Sequence, residues 1–349
     1  RYQYKIASTQ TEYGWVADPA QGGKASFNYL RTEKMKKFAM AAVAAAALSA
    51  GVAQAYTVGT FSNGFVVPNV IHNGPTDTTA VGLINQTGQS VAVYWTFFDQ
   101  NSSHITDGCF AMTNKDYEPF IWSSQSGGGL SGTRGYLVFA VGATTEGGTA
   151  QTACGGAAFL ASTASAISAN AFQVNSVAKD VAFVPVIDGP LTIATGVDIT
   201  KMNNVSLTAV AGAAPVGTSG AAPQPTFSMR YAIDQAAGGT DTAVVVWSTG
   251  NHSGTHTVNI YDDKQNRKSV NFKLTKTELD WFDPETIAGL PATFTDGFIE
   301  WQPGLAAPSD AVLTTSEATL YSKGGSVFTY SAISSTAFGA VQTVLGSYK

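Results

Sequence analysis

The chain has 349 residues, 44% of them apolar and only 12% charged, with a net charge of −5. That length is enough for two ordinary domains with cores of their own, and the apolar share, with 19 Phe and 13 Tyr, excludes a disordered chain. The acidic balance argues against nucleic acid and anionic membrane surfaces as partners, because both attract clusters of Lys and Arg.

The chain opens on Arg1, whereas Met35 is a natural start for a leader, so residues 1–34 are expected to be an upstream extension outside the fold. Residues 35–55 read "MKKFAMAAVAAAALSAGVAQA". Lys36 and Lys37 make a positive n-region, Phe38–Leu48 an apolar stretch of 11 residues, and Ala53-Gln54-Ala55 a small-residue cleavage site. Such a stretch is too short to cross a bilayer, which takes roughly 20 residues. A secretory signal is therefore expected over 35–55. The mature chain would begin at Tyr56 with 12 basic and 21 acidic residues, a net charge of −9, and no later segment is apolar for long enough to be a transmembrane helix.

Residues 56–208 read as short strands between Gly, Asn and Asp turns. Ala80–Ile84, "QTGQ" and Ser90–Asp99 have the shape of a hairpin. Val91, Val93 and Trp95 fall on one face, Ala92, Tyr94 and Thr96 on the other. Phe97 and Phe98 then crowd both faces, which predicts a central strand covered on each side. Asp99, Asn101, Ser103 and Asp107 alternate faintly like a calcium loop, but the glycine and glutamate that such a loop needs are missing, so a hairpin turn is expected. Cys109 and Cys154 are the only cysteines, and in an exported protein they are expected to pair. Asp116 and Glu118 flank Tyr117. Trp122 borders a Ser/Gly loop and is expected to be exposed, which makes it a candidate ligand contact.

At Ser165–Phe172 the chain reads "SAISANAF", and at Ser331–Phe338 it reads "SAISSTAF". Four more matches run in the same order at nearly the same offset, which predicts an internal duplication. They are Phe65 with Phe227, Thr76 with Thr240, Phe97–Asp99 with Ile260–Asp262, and Gly135–Phe139 with Gly297–Trp301. The repeated motif is expected to be a short capped helical turn whose Phe172 or Phe338 plugs a sandwich end. Residues 209–225, rich in Ala, Gly and Pro, are expected to link the copies, the second running over 226–349.

In the second copy His252 and His256 have HxxxH spacing, a candidate metal pair if helical and too far apart if extended. Glu278 and Asp280 precede Trp281, a second candidate ligand contact beside a Pro-containing loop. Carboxylate catalysis would need two acids facing across a cleft, and neither pair is so placed by spacing alone.

The expected fold is all-β, two tandem antiparallel β-sandwich domains of immunoglobulin-like size. The expected function is that of a secreted or cell-surface, non-enzymatic structural or adhesion protein, without a cofactor. It would act through self-association or a surface glycan or protein, in the extracellular space, at the cell surface or in the periplasm. The alternatives are a carbohydrate-binding module using Trp122 and Trp281, or an outer-membrane β-barrel.

Overall fold

A computed structural model describes residue 56 and residues 59–125, 130–142, 154, 167–177, 179–194, 196–218, 224–234, 239–304, 325–335 and 340–349. The extension 1–34, the signal segment 35–55 and Phe338 lie outside the described residues. Over the rest the protein is all-β.

Among the described residues, eight strands make the first half: β1 Gly64–Ile71, β2 Asp77–Asn85, β3 Val91–Asp99, β4 His104–Met112, β5 Tyr117–Ile121, β6 Arg134–Val141, β7 Ile167–Asn175 and β8 Asp180–Val184. They pair antiparallel into sheet I, ordered β4-β3-β6-β1, and sheet II, ordered β5-β2-β7-β8. Between the sheets lies a core that includes Phe65, Leu83, Phe97, Phe120 and Phe139. The alternation expected in β3 holds. Val91, Val93, Trp95 and Phe97 enter this core, while Ala92, Tyr94 and Phe98 enter a second cluster on the opposite face of sheet I.

The second half repeats that order. Its strands are β13 Phe227–Ala232, β14 Thr240–Ser248, β15 Gly254–Asp262, β16 Arg267–Leu274, β17 Leu279–Phe282, β18 Asp296–Trp301, β19 Gly325–Ser335 and β20 Ala340–Leu345. Sheet III runs β16-β15-β18-β13, and sheet IV has β17-β14-β19 with β20 on β19.

Local devices recur with the strand order. Thr79 Oγ1 donates to Ile71 O and accepts from Ile71 N, and Thr242 Oγ1 does the same with Ala232. A hydroxyl thus ties the end of one strand to the start of the next in both halves. Asp99 closes the β3–β4 turn by accepting from the amides of Asn101 and Ser103, and Asp262 closes the β15–β16 turn from Lys264 and Asn266. Gly135 and Gly297 sit where strands press together: a Cβ there would fall on the carbonyl oxygen of Phe98 or of Tyr261.

Four strands lie between the halves: β9 Ile187–Asp188, β10 Leu191–Ile193, β11 Leu207–Val210 and β12 Ala214–Val216. β9 extends sheet I beside β1, β10 and β11 pair with each other, and β12 extends sheet IV beside β19. Residues 209–216, expected within a linker, are therefore structured strand and turn. The reason is composition read too locally: Ala209, Val210, Ala214 and Val216 are small or branched apolar residues that pack as edge strands, and Val210, Ala214 and Val216 join the large cluster. That cluster also holds Tyr94, Phe98 and Tyr136 of the first half and Trp247, Ile260 and Phe272 of the second. Within Tyr56–Lys349 the two halves form one compact unit. β21 Ser347–Tyr348 closes sheet III beside β13.

Three expectations need correction. β2 and β3 are not a hairpin: β2 pairs with β5 and β7, β3 with β4 and β6, so the "QTGQ" turn crosses between sheets. Antiparallel pairs β1–β6, β2–β5 and β3–β4 wrap around one another as in a jelly roll. In an immunoglobulin sheet, by contrast, the first two strands are neighbours. The Ser165 motif is no helical turn. From Ile167 it is the start of β7, where Ile167, Ala169 and Ala171 alternate into the sandwich core at strand spacing, and Phe172 is 39% exposed rather than a plug. In the second half the described part of the motif, Ser331–Ser335, is the end of β19. Ala80 pairs with Phe172 and its counterpart Ala243 pairs with Ala332, which sets the eight-letter match six residues out of structural register.

Candidate interaction surfaces

Cys109, on β4, and Cys154 form the disulfide, and both pack against the large apolar cluster. Trp122 is not a surface contact. It begins the single helical turn Trp122–Gln125 after β5, is fully buried, and packs its ring 4.4 Å from that of Phe97. The neighbouring Ser/Gly loop misleads because the chain turns inward just before it. Trp281 is 37% exposed, but the Arg134 guanidinium of the first half lies 3.5 Å from its ring centroid. One ring face is thus occupied by a cation–π contact between the halves.

The two histidines lie near each other without forming a ligand pair. His256 Nε2 donates to His252 O at 2.7 Å, and its Nδ1 accepts from Trp301 Nε1 at 3.2 Å, so neither nitrogen offers a lone pair to a metal. Ser248 gives its hydroxyl proton to Gly250 O, which leaves its oxygen to accept from His252 Nδ1 at 2.9 Å. Among the described residues no group of three or more His, Cys, Asp or Glu is arranged to hold a metal ion.

Burial pushes the His252 pKa down to about 3 and lowers that of His256 as well. The unfolded chain therefore takes up protons between pH 6.5 and 3 that the folded chain refuses. Stability is complete above pH 6.5 and is lost as pH falls towards 3, by about 1.4 kcal/mol per unit for one such group. A urea midpoint measured at about pH 7 and pH 5 is expected to fall by about 2 kcal/mol of unfolding free energy, and His252→Gln to flatten most of that slope. An unchanged midpoint in the native chain would refute this.

The acidic candidates serve turns and joins. Asp99 caps its turn, Asn101 lies exposed in that turn, and Asp107 lies 3.8 Å from His104 on the same strand, β4. Asp116 accepts from the amide and hydroxyl of Thr113, and Asp280 accepts likewise from Thr275, the same lock in both halves. Glu278 is buried and accepts from Tyr136 OH at 3.0 Å, while Ser102 hydrogen-bonds the same phenol at 2.6 Å.

Among the described residues, two open sheet faces carry exposed aromatic or polar side chains. The outer face of sheet II carries Tyr117 (61% exposed), Ile121, Phe172 and Ile84, around a groove of about 200 Å³. Gly82 makes this groove: a Cβ there would stand 2.7 Å from Tyr117 Oη, so the ring lies across the bare backbone. The outer face of sheet III is polar, because β15 and β16 alternate, with Thr257, Asn259, Arg267 and Ser269 outward. It has a depression of about 640 Å³ reaching Glu300 and Gln302. Beside it Tyr261 and Phe298 stack at 4.8 Å and 11°, and Phe298 is 37% exposed. Sequence reasoning missed these aromatics, although Tyr261 and Phe298 belong to two of the repeated matches.

No family model, no curated protein and no solved structure matches this chain.

Proposed function

We propose that this is an exported, non-enzymatic structural or adhesion protein, built by tandem duplication of one wrapped β-sandwich and acting through its open sheet faces. The observation that carries this reading is the recurrence of the same clamp, turn, glycine and acidic lock in both halves, which uses the polar residues for architecture. The leader-like segment 35–55 and a disulfide, favoured in oxidising compartments, support export. An outer-membrane barrel needs one closed sheet, and the described strands make five separate ones. The carbohydrate-binding alternative loses Trp122, and the polar depression on sheet III is what favours it now.

Expressing the Met35–Lys349 chain in a bacterium and sequencing the product is the direct test. The expected product is extracytoplasmic, starts at Tyr56 and hydrolyses no substrate in a general screen. Retention in the cytoplasm with the leader intact would overturn the reading. Binding to an oligosaccharide array that is lost in Glu300→Ala would favour the alternative instead.

A further inference from the structure

The two halves meet through one end of sheet I and the outer face of sheet IV. In sheet I, Phe98 and Tyr136 stack at 5.1 Å and 17°, and the Tyr136 and Trp247 rings form a T-shaped pair at 5.8 Å. Around this contact Asn69 Nδ2 donates to Tyr330 Oη at 2.8 Å, and Gln100 O accepts from the amides of Glu278 and Leu279. One half thus supplies an aromatic knob, and the other receives it on the face carrying Trp247, Leu279 and Tyr330.

Strand pairing identifies the counterparts. Phe98 pairs with Tyr136 as Tyr261 pairs with Phe298, so the stacked pair of sheet III is the second half's knob. Trp247 lies between Leu279 and Phe328 as Ile84 lies between Tyr117 and Ser168, so the outer face of sheet II is the first half's receiving face. The first half's knob and the second half's face cover each other. The second half's knob and the first half's face are the two left uncovered, and both remain aromatic and exposed, at 37% for Phe298 and 61% for Tyr117.

We propose that copies of this chain associate head to tail, the Tyr261–Phe298 knob of one molecule seating on the Ile84–Tyr117 face of the next. The join between molecules then repeats the join within each one. This rests on the tandem-duplication part of the proposed function and deepens it by naming the partner as a second copy. The internal join shows what covers such a face: the end of another sandwich of the same build. The polar rim can follow. Arg230 stands where Asn69 stands and would meet Asn170, the counterpart of Tyr330, so a donor faces an amide oxygen. Because knob and face are different surfaces, the contact is heterologous and grows into an open filament or a ring rather than stopping at a dimer.

Sedimentation velocity of the purified chain over a rising concentration series tests this. The native chain is expected to form species beyond the dimer. Phe298→Ala and Tyr117→Ala should each stay monomeric alone, yet form dimers and nothing larger when mixed, since each retains the surface the other lacks. Circular dichroism verifies that both variants fold, and a second readout does not depend on them. A chain with Asn170→Cys and Arg230→Cys, which keeps both the knob and the apolar face and places the thiols at the rim positions that would meet, should run, oxidised, as a ladder of multiples on a non-reducing gel. A native chain that stays monomeric throughout, assembly that survives both substitutions, or a gel without the ladder would overturn the proposal. Export is irrelevant to these measurements, so their failure is distinct from failure of the secreted-protein reading.

Discussion

Trp247→Ala is expected to lower the unfolding free energy by about 3–5 kcal/mol, the range for removing a fully buried large aromatic. The residue is completely buried and pairs across sheet IV with Leu279 on one side and Phe328 on the other. Its ring meets that of Tyr136 from the other half in a T-shaped contact, so truncation opens a void at the join as well as within one sheet. The indole N–H has no hydrogen-bond partner, so its loss exposes no widowed acceptor and the cost is one of packing. Equilibrium unfolding in urea measures it. Because one apolar cluster runs through both halves, the native chain should unfold in a single transition, and the variant should move that transition to lower urea. A shift below about 1 kcal/mol would mean that the join contributes little and that the halves are stable separately.

Reducing the Cys109–Cys154 bond, or replacing it with Cys109→Ser and Cys154→Ser together, is expected to cost about 4 kcal/mol. The two residues are 45 apart in sequence, and closing a loop of that size removes conformational entropy from the unfolded chain by roughly this amount. Both sulfurs also pack on the large cluster, so the pair of serines would bring polar oxygens against an apolar surface. Thermal unfolding with and without reductant measures the effect. An unchanged midpoint would show that packing alone holds Cys154 against β4.

The second half offers a control for what the bond protects. Cys109 pairs with Tyr94, and the corresponding pair in sheet III is Asn271 with Thr257, two polar residues on an open face. The same sheet face is therefore apolar and covered in one half and polar and exposed in the other. That contrast is written in the alternation of the strands, where "VAVYWTFF" is apolar on both faces and "THTVNIYD" on one.

Such patterns were legible from the residues because burial acts on each strand separately. The covered central strand β3 and the turn at Asp99 come from side-chain alternation and turn chemistry, and the disulfide from there being only two cysteines. Strand partnership was not legible. A turn such as "QTGQ" serves equally for a hairpin and for a crossing between sheets, and only contacts far along the chain choose between them. The most conspicuous repeat misled for a related reason. "SAISANAF" and "SAISSTAF" share letters that suit any half-buried strand, and the ladders set them six residues apart in register. Trp122 likewise reads as exposed beside its Ser/Gly loop and is buried by residues distant in sequence.

Composition and alternation thus determined an all-β chain and a central strand β3 covered on both faces, since these depend on local chemistry. Only the tertiary structure decided that the strands wrap in the order β1–β6, β2–β5 and β3–β4, and that one half plugs its stacked aromatics into the other. It also left the matching knob and face open at opposite halves. Those outcomes depend on which surfaces meet, and packing between residues far apart in the chain leaves no periodic signal within a single short strand.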